Sequence, residues 1–203
     1  MRDWWLRTFL VLQRPRPVFV ALRDDSKESL ADRAEPVLAI VLLSGLAYVL
    51  STKTAGHLLD DSSYDGLLVA VWAFIAGSLY GLFGYLAFGA VLHGGAKALG
   101  SQGSYRRSRH VLAFAAVPFA LSLVLWPVKL AVYGAALFRS GGSDHGGGIR
   151  VFGVLELACL LWAVVLLVTG VRAAHGWTWG RAATACAPAI AALVLVALAT
   201  AGV

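Results

Sequence analysis

Gly94–Pro118 reads GGAKALGSQGSYRRSRHVLAFAAVP, and its reading decides how the rest of the chain is laid out. It joins two long apolar runs and holds Lys97, Arg106, Arg107 and Arg109 without one acidic residue. A cationic linker between such runs marks a chain threaded through a bilayer, because Lys and Arg hold a loop on the cytosolic side. Outward from this stretch the apolar runs recur. The 203 residues are 59% hydrophobic and 14% charged, with a mean hydropathy of +0.76. A soluble domain carries about a quarter charged residues. The runs are too long for barrel strands and do not alternate. The sequence therefore predicts an all-α polytopic membrane protein with five spans.

The spans are predicted at about 36–50, 67–92, 110–138, 151–171 and 183–201. Residues 36–203 then form the five-helix domain, and residues 1–35 precede it as a cytosolic segment. Met1–Leu12 places Trp4, Trp5, Phe9 and Leu12 at helical spacing, which suits a helix lying in the membrane interface. Pro15 and Pro17 end it, and Val18–Leu22 is a second short interfacial patch. Arg23–Glu35 mixes both charges at near-helical spacing and reads as a solvated helix with i,i+4 pairs. Pro36 opens the first span. No cleavable leader is expected, because Arg7, Gln13, Arg14 and two prolines interrupt the first 23 residues.

The positive residues set direction. Arg2, Arg7, Arg14, Arg16, Arg23, Lys27 and Arg33 precede the first span. Lys97, Arg106, Arg107 and Arg109 follow the second, and Arg172 and Arg181 follow the fourth. The opposite loops hold only Lys53, Arg139 and Arg150. The bias predicts a cytosolic N-terminus and an external C-terminus. It also accounts for the net charge of +6, so nucleic acid is not an expected partner.

Gly77, Gly81 and Gly84 in the second span are read as helix-packing positions, since a GxxxG pair lets a second backbone approach closely in lipid. Pro118 and Pro127 interrupt the third span, so a kink or a break is expected. Residues Arg139–Arg150 form a Gly-rich, flexible loop without a phosphate-binding pattern. Trp177 and Trp179 read as interface anchors. Cys159 and Cys186 read as small packing residues.

Two ionisable residues fall at membrane depth, Lys129 and Glu156, and such residues are functional candidates by default. Their depths match within a turn or two, which predicts an intramembrane ion pair. It would serve either as a proton or substrate site, or as a packing pair with snorkelling groups. The histidines are not spaced as metal ligands, and no cofactor or metal is expected. Gly77-Ser78 lacks the GxSxG frame and a histidine at matching depth, so no serine hydrolase and no enzyme is expected.

Four segments in order resemble one family. LGSQGSYRRSRHVLAFAAVP (99–118) places a Gly-containing turn and an aromatic before a span with Pro in its early turns. QRPRPVFVAL (13–22) resembles an amphipathic Pro-x-x-Phe entry, here with Pro15 and Pro17 before Phe19. Glu35-Pro36 opens the first span, and HGWTWGRAATA (175–185) carries Trp-x-x-Gly-Arg-Ala before the last. Together they resemble bacterial-type members of the Yip (Rab/Ypt-interacting protein) family. The resemblance implies a five-helix domain with a cytosolic N-terminus. Eukaryotic members act in ER–Golgi traffic, bind Rab GTPases and form hetero-oligomers. This chain lacks their acidic-Leu-Tyr-Gly-Pro type motif, so Rab binding is not carried over.

The expected function is a non-enzymatic, multi-pass protein of the bacterial plasma membrane that works by assembly with a protein partner or with itself. Lys97, Arg106, Arg107 and Arg109 would meet that partner or anionic headgroups of membrane lipids. The alternative is a small transporter or lipid-handling protein that uses the kinked third span with Lys129 and Glu156.

Overall fold

A computed structural model describes residues 2–141 and 147–202 of the chain. Among the described residues every regular element is helical. Five segments are long and apolar enough to cross a bilayer: Lys27–Leu50, Gly66–Ala98, Tyr105–Phe138, Gly148–His175 and Trp179–Thr200. This is the polytopic five-helix class predicted from the apolar runs. Residues 142–146 of the Gly-rich loop, His145 among them, lie outside the described residues.

The N-terminal segment forms two helices, α1 (Arg2–Gln13) and α2 (Pro15–Ala21). Pro15 does more than stop α1. It opens α2 at the first helical position, where its missing N–H leaves no bond unmade. These helices are docked on the bundle. Trp4, Thr8 and Val11 recur at i, i+4 and i+7 and are all buried, as are Val18, Phe19 and Leu22. The Trp4 ring lies 5.6 Å from that of Phe114. Gly170 supplies the hollow for Phe19, since a Cβ there would stand 2.7 Å from the Phe19 ring. Leu6, Phe9 and Leu10 remain exposed on the outer face of α1, which keeps the amphipathic character read from the sequence.

The first span, α3 (Lys27–Leu50), starts nine residues before Pro36. Ser26 caps it by accepting from the Ser29 N–H at 3.3 Å, and Glu28 in the first turn suits the positive end of the helix dipole. The mixed-charge segment is therefore the opening of the span itself, with Pro36 carried inside the helix. The second span is α4 (Gly66–Ala98), capped by the Asp65 carboxylate, which accepts from the Leu68 N–H at 2.8 Å.

The third span is broken into α5 (Tyr105–Ala115), α6 (Val117–Leu121) and α7 (Leu125–Tyr133), joined and followed by 3-10 turns. Pro118 and Pro127 each fall in the first turn of a new segment, the place where a missing N–H costs least. The fourth span is α8 (Gly147–His175) and the fifth is α9 (Trp179–Gly202), separated by Gly176 at φ +69°. The first and third spans are the most buried, so the broken helix runs through the middle of the bundle.

The closest approach of two helices is the seam between α3 and α4. A Cβ on Gly77 would stand 2.7 Å from Leu46 Cα, and one on Gly45 would stand 2.6 Å from Gly81 Cα. Gly77 and Gly81 are thus packed inside the chain against Gly45. Gly84, one turn further on, does not join the seam: a Cβ there would meet only the ring of Phe88 in its own helix.

Candidate functional site

The ends of the bundle are built differently. One end gathers the α2–α3 connection, the α4–α5 loop and the α8–α9 turn, and it carries most of the basic residues. Asp25, just before the cap of α3, organises it. Arg107 Nη2 donates to Asp25 Oδ2 at 2.9 Å, and Ser104 Oγ donates to the same oxygen at 3.1 Å. Arg33 Nη2 approaches Asp25 Oδ1 at 3.4 Å. The Arg33 side chain is 0% exposed, with its guanidinium over the Trp4 ring at 5.7 Å. Arg33 Nε and Nη1 have no hydrogen-bond partner. A fully buried guanidinium demands a counter-charge, so Asp25 holds both the entry to α3 and the start of α5.

Two further arginines close helix ends. Arg23 donates from Nε to the carbonyls of Ala173 and Ala174, both at 3.1 Å. Arg181 donates from Nη2 to the carbonyl of Leu99. These are C-terminal carbonyls of α8 and α4 that have no intrahelical donor. A cation there also meets the negative end of the helix dipole. Arg107 Nη2 in turn donates to the Arg23 carbonyl at 2.8 Å, which ties the two arrangements together. Trp177 and Trp179 pack under Arg181 and Arg172 at 4.4 and 4.5 Å.

The four basic-loop residues singled out from the sequence therefore divide. Arg107 is half-buried on Asp25, and Arg109 is half-buried between the Tyr85 and Tyr105 rings at 5.1 and 4.5 Å. Lys97 and Arg106 are exposed. Outside the spans, hydrogen bonds from Ser26 hold the Asp24 carboxyl below the usual carboxylate range.

Within the spans, Lys129 on α7 donates from Nζ to Glu156 Oε1 on α8 at 2.8 Å. The side chains are 8% and 20% exposed. Lys129 also sits 4.2 Å over the Trp126 ring, one turn back on its own helix. The ammonium thus has an anion and a ring face as partners, which is how a cation at this depth is tolerated.

The opposite end holds a cluster that the sequence reading did not find. Ser140 Oγ donates to Asp60 Oδ2, and the Ser140 N–H donates to Asp60 Oδ1 at 3.0 Å. His57 Nδ1 lies 2.6 Å from Ser140 Oγ and 3.2 Å from Asp60 Oδ2. A serine, a histidine and an aspartate meet here, but not as a relay. A relay needs the carboxylate on one ring nitrogen and the hydroxyl on the other, whereas here both lie on Nδ1. The arrangement staples the α3–α4 connection to the end of the third span. Its residues lie 80 positions apart, so no local motif announces it. The Ser140 hydrogen bonds hold the Asp60 carboxyl below the usual range.

The sequence matches the model of one protein family, the Yip1 domain, over residues 9–201. The chain belongs to the Yip1 domain family. The match covers nearly the whole chain, including α2, whose docking the spans alone would not define. No curated protein and no solved structure matches it. In this Yip1 domain protein the family assignment and the five apolar helices agree on a multi-pass membrane protein. Among the described residues no group of three or more His, Cys, Asp and Glu side chains is placed to hold a metal ion. Cys186 is buried and Cys159 half-buried, and neither forms a disulfide.

Proposed function

We propose that this Yip1 domain protein is a non-enzymatic assembly factor of the bacterial plasma membrane, with its basic end in the cytosol, its C-terminus outside, and a protein partner or a second copy docking at that basic end. One observation carries the reading. The basic end is a preorganised platform: Arg23, Arg33, Arg107 and Arg181 are committed to Asp25 and to helix-end carbonyls, while Lys97 in the last turn of α4 and Arg106 in the first turn of α5 are left exposed. A surface already rigid before contact loses little entropy on binding, and exposed like charges select an acidic partner. Helices α1 and α2, packed on the bundle ahead of α3, belong to this platform on its cytosolic side.

The test is a crosslinked pull-down in mild detergent from native membranes, read by mass spectrometry. The parent protein is expected to bring down a stoichiometric partner or a second copy. Lys97→Glu with Arg106→Glu is expected to cut recovery about tenfold or more, since juxtaposed like charges cost several kcal/mol. Recovery of the parent protein alone would sink the proposal. A C-terminal reporter active only in the cytoplasm would overturn the orientation.

A further inference from the structure

Toward the basic end from the Gly45–Gly81 contact, α3, α4 and α5 border a groove of about 200 Å³ on the side of the bundle. Val37, Leu38 and Val41 form one wall and Leu82 the other. The groove lies within the spanning part of α3 and α4, so its apolar walls face the bilayer core. Its end toward the basic loop is of different chemistry. Tyr85 and His110 line it there. His110 is 7% exposed and its Nδ1 has no hydrogen-bond partner. Arg109 packs over Tyr85 with its Nε also unpartnered, and Arg33, next to the lining residue Ala34, has two unpartnered nitrogens. Arg33 and Arg107 share the single carboxylate of Asp25.

Buried polar groups are almost always satisfied, so a cluster of them in one corner marks a place built for an acceptor that comes from outside the chain. That acceptor must be anionic, because the surrounding charge is positive. It must also carry a chain, because the same cleft continues as an apolar channel open to lipid. We infer that the α3–α4–α5 groove binds one anionic phospholipid, with an acyl chain along Val37, Val41 and Leu82 and its phosphate at His110 and Arg109. The site borders the docking platform, with which it shares the Arg33–Asp25 pair, and is separate from Lys129–Glu156.

The test uses the full chain, delipidated in detergent and titrated with phosphatidylglycerol or with phosphatidylcholine of the same chains, with adducts counted by native mass spectrometry. One phosphatidylglycerol adduct is expected at about tenfold lower concentration than phosphatidylcholine, as basic residues near a headgroup predict. Arg109→Gln is expected to abolish the preference. Leu38→Trp narrows the groove from its lip, where Leu38 is 49% exposed, and is expected to lose the adduct without a change in unfolding midpoint. Glycerol phosphate, a headgroup without chains, is expected not to compete. Equal retention of both lipids overturns the inference, as does an unchanged adduct in Leu38→Trp. Displacement by glycerol phosphate overturns it in favour of a plain anion site. If Arg109→Gln fails to fold, the Leu38→Trp and glycerol phosphate arms decide alone.

Discussion

Replacing Gly77 by alanine puts a methyl carbon 2.7 Å from Leu46 Cα and 2.9 Å from Leu46 N, where ordinary contact begins at 3.4 Å. Both atoms are backbone, so no side chain can swing aside. Helix α3 must retreat by about 0.7 Å, the difference between those two distances. A gap of that size removes a quarter to a half of each atom pair's attraction, itself about 0.1–0.2 kcal/mol. If the seam is worth one buried leucine, on the order of 50 pairs, the loss is about 1–5 kcal/mol, which overlaps the usual cost of overpacking a core. Gly84→Ala makes the same chemical change two turns away, where nothing but Phe88 is near. It is expected to be neutral, or stabilising by up to about 1 kcal/mol through helix propensity. Reversible unfolding in mixed micelles measures both. Gly45→Ala combined with Gly77→Ala is expected to cost less than the sum, because the first separation already makes room for the second methyl. The reasoning fails if Gly77→Ala is as stable as the parent, or if Gly84→Ala costs as much.

Asp25→Asn leaves the buried Arg33 without its carboxylate; breaking a buried pair costs about 3–5 kcal/mol, and the 32% exposure of Asp25 brings the expected loss to about 2–3. Arg33→Met removes the buried charge while Asp25 keeps Arg107, so it is expected to cost less than Asp25→Asn in the same unfolding assay; a larger loss would refute the role given to Asp25. Glu156→Leu alone strands the Lys129 ammonium and is expected to destabilise by about 2–4 kcal/mol, whereas adding Lys129→Met should recover most of that. At the opposite end the Asp60 carboxyl is held below its ordinary range by Ser140, so the staple's contribution is full above the unfolded pKa and lost as pH falls through the lower folded value. Protection of the Ser140 amide, its exchange rate set against the intrinsic rate at the same pH, is expected to fall at acid pH in the parent protein and to be low at all pH values in Asp60→Asn.

The five spans were legible because a bilayer imposes a length on apolar runs, and length survives without any knowledge of tertiary contacts. The breaks in the third span were legible for the same kind of reason, since Pro118 and Pro127 act through their own rings. What failed to show was which surface meets which. The pattern of Trp4, Thr8 and Val11 says that one face of α1 is apolar, but period alone does not distinguish lipid from protein as its partner. Arg33 sits in a run of charges typical of a solvated helix. Its burial depends on Asp25 outside the helix, on Trp4, and on an α5 that brings Arg107 to the same carboxylate. GxxxG announced close approach without naming the partner, although Gly45 in the first span was the available signal. His57, Asp60 and Ser140 come together only because the third span returns its end beside the α3–α4 connection.

The clustering of arginine at one end has a second cause besides threading. Helices α4 and α8 both present their C-terminal carbonyls there, and each set faces bare unless a donor is supplied. Arg181 serves α4 from the start of α9, and Arg23 serves α8 from the end of α2. Arg181 and Arg23 thus each tie one helix end to a different element. At the other end α3, the broken third segment and α9 terminate, and there the first two are tied through a carboxylate, Asp60, to Ser140 and His57. A chain that used lysines or scattered arginines in its basic loops could satisfy the same charge bias, yet it would leave those carbonyls without the planar, multiply donating group that reaches two of them at once. The arginine-rich loops are therefore read as structural members of the bundle as much as a topological signal. This is why only Lys97 and Arg106 of the basic loop stay exposed for contact with anything outside the chain.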